Sequence, residues 1–145
     1  MSKSDAFEAA LLDLIFLNAD VANIGDAAGL QNSAAAGSLF LALHTADPGE
    51  AGTQTTNEVA YTGYARVGVA RSGAGWSRTG NTINPVANID FPPCTAGTPT
   101  ATHFSIGTLV SGAGMVLYKG AISPTIVIGP GVTPRLTTAL AVTED

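Results

Sequence analysis

Charge is scarce in this sequence: aspartate, glutamate, lysine and arginine make up 12% of its 145 residues, about half of the ~25% usual in soluble chains. Much of the surface must therefore be Thr, Ser, Asn, Gly and Ala, which can meet another protein with few charged groups to desolvate. Positive charge is scarcer still. The six basic residues, Lys3, Arg66, Arg71, Arg78, Lys119 and Arg135, are scattered, and without a basic cluster to displace phosphate counterions nucleic-acid binding is not expected. Cys94 is the single cysteine, so neither an internal disulfide nor a multi-cysteine zinc site is available. Long apolar runs are missing too. Near the N-terminus the apolar run at residues 14–17 is far too short for a membrane span, and Asp5, Glu8 and Asp13 interrupt any secretory signal. Cytoplasmic synthesis and folding, with no membrane partner, is the expectation.

What is present is one domain's worth of chain, with a hydrophobic fraction of 46% that suffices for a real core. Phe7, Leu11, Leu14 and Ile15 recur at helical spacing, and Leu12, Phe16 and Leu17 widen that apolar face. Ser4 is a good N-cap, and Asp5 and Glu8 suit the positive end of the helix dipole. Residues 20–37 are rich in Ala, Gly and Asn with weak periodicity, as in a connecting arm. From residue 38 onward, about eight short β-branched or alternating runs are separated by Gly and Pro turns such as Asp47-Pro48-Gly49 and Gly129-Pro130-Gly131, and residues 136–142 make the final strand. The fold class read from this spacing is all-β, a jelly-roll-like sandwich with one N-terminal α-helix. Residues 1–37 form the helix and arm and 38–145 the β-sandwich, together one folded unit.

Motifs that carry chemistry are few. His44 and His103 have no H-x-x-x-H spacing and no cysteine pair to complete a zinc site, which leaves only the two histidines with a carboxylate from another strand, and no family signature makes Cys94 a nucleophile for His103. There is no G-x-S-x-G elbow, no Walker sequence and no third glycine after Gly73-Ala74-Gly75. No catalytic, cofactor-binding or metal-binding residue is assigned. Tyr61, Tyr64 and Trp76 lie close enough in sequence to build a sugar-binding platform, as in a carbohydrate-binding module. Aromatics are only 6% of the chain, however, and a core of this size needs most of them. Charge is uneven along the chain. Eight acidic residues and Lys3 precede Val59, while five of the eight charged residues from Val59 onward are basic, an asymmetry that favours contact between copies or with a charged partner.

Six landmarks, in order, carry a resemblance. They are Ala9-Ala10-Leu11-Leu12-Asp13-Leu14-Ile15-Phe16; Leu41-Ala42-Leu43-His44-Thr45-Ala46-Asp47-Pro48; Glu58-Val59 followed by Gly63-Tyr64-Ala65-Arg66; Asn88-Ile89-Asp90-Phe91-Pro92; Thr102-His103-Phe104-Ser105-Ile106; and Gly114-Met115-Val116-Leu117-Tyr118-Lys119-Gly120. In this order the chain resembles small virion proteins of tailed bacteriophages, described as tail-fibre-like or head-decoration proteins. It is most similar to the capsid-cementing proteins of short-tailed Bordetella phages. The resemblance implies a jelly roll, pairing into dimers, attachment to the capsid exterior with the major capsid protein as partner, and no catalytic residues. A tail-associated role for the same fold is the alternative. Under this reading the contact segments are residues 2–17, 20–37 and 47–57, and the contact residues Phe7, Leu11, Phe16, Asp47, Glu50 and Arg66.

Overall fold

The computed structural model describes every residue from Met1 to Asp145. In chain order its elements are α1 (Asp5–Phe16), β1 (Ser38–His44), β2 (Val67–Ala70), β3 (Trp76–Thr79), β4 (Thr82–Pro85), β5 (Ile89–Asp90), β6 (Thr100–Gly107), β7 (Val116–Val127), β8 (Arg135–Leu136) and β9 (Val142–Thr143). The chain is all-β with one N-terminal helix, as its turn spacing indicates. Its open sheets are ordered β2-β1-β6-β7, β3-β4-β9 and β5-β8. Two compact units are built from interleaved segments: Met1–Ser38, Val69–Asn88 and Thr137–Asp145 form one, Leu39–Gly68 and Ile89–Leu136 the other.

In the first unit, Ser4 caps α1, its hydroxyl accepting the Phe7 N–H. At the other end Asn18 takes a left-handed φ of 56°. Arg71 donates to the last-turn carbonyls of Leu14 and Ile15, each at 2.7 Å, placing a cation where the helix dipole is negative. The buried stripe of α1 is Glu8, Leu12 and Phe16, not the Phe7, Leu11, Leu14 and Ile15 face that periodicity favours. Packing decides this. Phe16 meets Trp76 of β3 edge to face, ring centroids 4.7 Å apart, and Arg78 of β3 grips Asp13 with Nε and Nη2. β3 and β4 pair around a two-residue turn, with Gly80 at φ 61°, and β9 adds to β4.

In the second unit β1 is an apolar strand with Leu39, Leu41, Ala42, Leu43 and His44 buried. It pairs with β6, which pairs with β7. The β6–β7 register is interrupted: Ala101 lies opposite Ile126 but His103 opposite Ala121, so β7 bulges across residues 122–125. Residues 136–142, expected as one strand, instead split. Leu136 in β8 pairs with Ile89 of β5, Val142 in β9 pairs with Ile83 of β4, and a turn closed by Leu140 N–H to Thr137 O lies between.

Candidate functional site

The second unit gathers most of the chain's unusual polar side chains around the loop that follows β1. Thr45 N–H donates to Asn57 O, folding residues 45–57 back on themselves, and an isolated bridge sets Glu58 opposite His44. Two buried groups anchor this loop. The His44 ring lies 2.8 Å from Thr56 O through Nδ1 and 2.8 Å from Ser105 Oγ through Nε2. Because a carbonyl only accepts, Nδ1 carries the proton and Nε2 accepts from the serine hydroxyl. Burial holds the imidazole below its ordinary pKa, opposed by the Thr56 carbonyl and the Glu58 charge. Both His44 and Ser105 are wholly enclosed, so this pair faces no approaching molecule.

Gln54 is the second anchor. Its buried amide donates to Phe40 O and accepts the Leu109 N–H, each at 3.0 Å, while its own N–H reaches Gly114 O. A Cβ at Gly107 or Gly114 would overlap that amide, so both positions must be glycine for the glutamine to enter.

Beside it lies a charged network. Arg66 binds the Glu58 carboxylate with Nε at 2.7 Å and Nη2 at 2.8 Å, and donates to Leu109 O (2.9 Å) and Gly112 O (2.8 Å). Tyr64 donates to Glu58 Oε1 and accepts the Leu43 N–H. Burial drives the Tyr64 phenol well above its ordinary pKa, so it remains a donor. Tyr61, which meets Tyr64 edge to face, is pushed up to about 12 by burial. On the outside, Lys119 of β7 reaches Asp47 and Glu50, each at 3.1 Å, and the Gly49 N–H followed by this lysine lowers the Asp47 pKa.

The contact residues read from sequence are thus dispersed. Phe7, Leu11 and Phe16 lie on α1 in the first unit, Phe7 exposed, Leu11 half-buried and Phe16 in the core. Asp47 and Glu50 meet at Lys119 on the surface of the second unit, where Arg66 is buried. Trp76 belongs to the first unit and Tyr61 and Tyr64 to the second. Trp76 and Tyr61 are buried and Tyr64 stacks on Phe91, so these rings fill interiors. Cys94 is buried with its thiol toward Gly97 O, and the Nδ1 of His103 pairs with Thr102 Oγ1. No group of three or more His, Cys, Asp or Glu side chains is placed to hold a metal ion.

Sequence reasoning missed the Leu109, Val110 and Met115 side chains, all exposed. The one local signal is an apolar pair directly before the Ser111-Gly112-Ala113-Gly114 turn. The basic residues are also more occupied than their scatter suggests. Each of the six is engaged within its own unit: Lys3 by Glu144, Arg66 by Glu58, Arg71 by the α1 carbonyls, Arg78 by Asp13, Lys119 by Asp47 and Glu50, and Arg135 by Asp90.

Among protein families, the model described as podophage GP4 fiber I protein gp80 matches residues 2–142 of this chain. No curated protein matches it.

Proposed function

The chain belongs to the podophage GP4 fiber I protein family and is a structural protein of short-tailed phage virions, and from that premise we propose that it binds the capsid exterior and ties neighbouring major capsid subunits together, without catalysis or cofactor. The observation that carries this reading is the internal engagement of all six basic side chains. No basic side chain is left over to grip an acidic partner, which shifts the weight of such a contact toward neutral polar and apolar surface. Each such contact is weak. It becomes useful where many copies are held on a lattice and avidity sums them, which is the situation of a coat-binding protein. The likeness of the six sequence landmarks to capsid-cementing proteins points the same way.

The family's own description names a fibre, and this favours a second reading in which the protein sits on the tail. Mass spectrometry of heads separated from tails distinguishes the two. Recovery with heads, at a ratio tied to the number of major capsid subunits, is the expected result; recovery with tails alone rejects the cement role.

A further inference from the structure

We propose that Leu109, Val110 and Met115, on the β6–β7 connection, form a pre-organised apolar knob that inserts into an uncharged, apolar cleft of a neighbouring coat protein. This rests on the structural role proposed above and names the surface that performs it. The three side chains are 48%, 60% and 66% exposed, and all three lie within the single eight-residue connection between β6 and β7.

The backbone beneath them is unusually constrained. Leu109 N–H goes to the buried Gln54 Oε1 and Leu109 O receives Arg66 Nη1; Gly112 O receives Arg66 Nη2; Gly114 O receives Gln54 N–H. Across the base, Thr108 N–H donates to Met115 O and Met115 N–H to Thr108 Oγ1. A buried ion pair and a buried amide are thereby spent on holding an exposed turn, although loops of this exposure are ordinarily left mobile. Rigidity of this kind lowers the ordering cost of association.

The chemistry of the patch selects its occupant. Residues 108–115 contain no ionisable side chain, and the nearest cation, Arg66, has a side chain only 2% exposed and already bound to Glu58. A charged partner therefore finds nothing to pair with here. Three aliphatic side chains also fall far short of the ~1,200 Å² of total area that a stable complex of two chains buries, so a second copy is not held by this knob alone. An apolar cleft repeated across a shell fits, since avidity makes a small contact sufficient.

The test uses the full chain and phage particles assembled without it, measured by co-sedimentation of Val110→Asp, Met115→Lys and their combination, with Ala113→Asp as a neighbouring charge control. Unfolding midpoints of the variants should match the parent, because the side chains are exposed. The expected result is parent binding that is insensitive to salt, a loss of about tenfold or more in affinity for the double variant, and a smaller loss for Ala113→Asp. Parent protein that binds neither heads nor tails rejects the structural reading itself. Parent protein that binds while the double variant binds equally well rejects only the knob, as does binding that falls steeply with salt. Self-association of the purified parent in sedimentation velocity, abolished in the double variant, overturns the assignment in favour of a second copy.

Discussion

Replacing Arg66 by methionine keeps the length and apolar stem of the side chain and removes all of its N–H donors. Four hydrogen bonds go with them: two to the Glu58 carboxylate and one each to Leu109 O and Gly112 O. Leu109 and Gly112 are exposed residues, so water can replace much of what their carbonyls lose. Glu58 is different, because its side chain is only 17% exposed and keeps just the Tyr64 hydroxyl. Breaking a buried ion pair from one side costs about 3–5 kcal/mol. Partial access of water to Glu58 puts this variant at the lower end, about 3 kcal/mol.

With a urea slope of about 2 kcal/mol/M, the unfolding midpoint should fall by about 1.5 M. Glu58→Leu strands the guanidinium and should be similarly costly. In the double variant both charges are gone, so the combined loss should fall short of the sum by at least about 2 kcal/mol. Urea unfolding followed by far-ultraviolet circular dichroism measures all three, at about 0.1 M and about 1 M NaCl, because a buried pair is poorly screened. Arg135→Met, which breaks the exposed pair with Asp90, serves as the control and should leave the midpoint unchanged. A single-variant loss below about 1 kcal/mol, strict additivity, or a loss erased by salt would refute the assignment of Arg66 and Glu58 as a buried, mutually dependent pair.

His44 gives a pH dependence of definite sign. Its native pKa lies below the ordinary 6.5 because of burial, so its contribution is complete above about pH 6.5 and is lost as pH falls from there toward the native pKa, by at most about 1.4 kcal/mol per pH unit. Urea midpoints from pH 7.5 downward should show that decline, and an NMR titration placing the His44 ring at or above 6.5 would contradict it. Arg71→Ala uncovers the Leu14 and Ile15 carbonyls, costing about 1–2 kcal/mol. The same arginine also donates to Ser33 Oγ and Ala36 O, so hydrogen exchange should accelerate in the last turn of α1 and around residues 33–36; unchanged protection would count against the arginine as what holds the helix end. Trp76→Ala removes the ring packed on Phe16 and should cost about 3–5 kcal/mol in the same unfolding assay. Trp76→Phe should cost much less, because the indole Nε1 is buried without a partner; equal losses would mean that the packed volume is not what stabilises this unit.

Within the sequence alone, whatever depends on neighbours a few residues away was decided: where the helix starts, that everything after residue 37 is extended and broken by glycine and proline, and that Asp47-Pro48-Gly49 turns. Backbone preference and side-chain periodicity act at that range. The likeness to phage virion proteins was legible for a related reason, since the order of motifs is a property of the chain itself. Tertiary structure decided the rest. Which face of α1 is buried depends on Trp76 and Arg78, sixty or more residues along the chain, and these favour Leu12 and Phe16 over Phe7 and Leu11. Residues 136–142 read as a single strand until their ends find different partners, β5 and β4. Arg66 has the sequence context of a strand residue facing solvent, yet Glu58 and the turn at residues 109–112 enclose it. The exposure of Leu109, Val110 and Met115 is equally invisible in one dimension, because an apolar residue is buried or bare according to what the folded chain places over it, and distant segments make that choice.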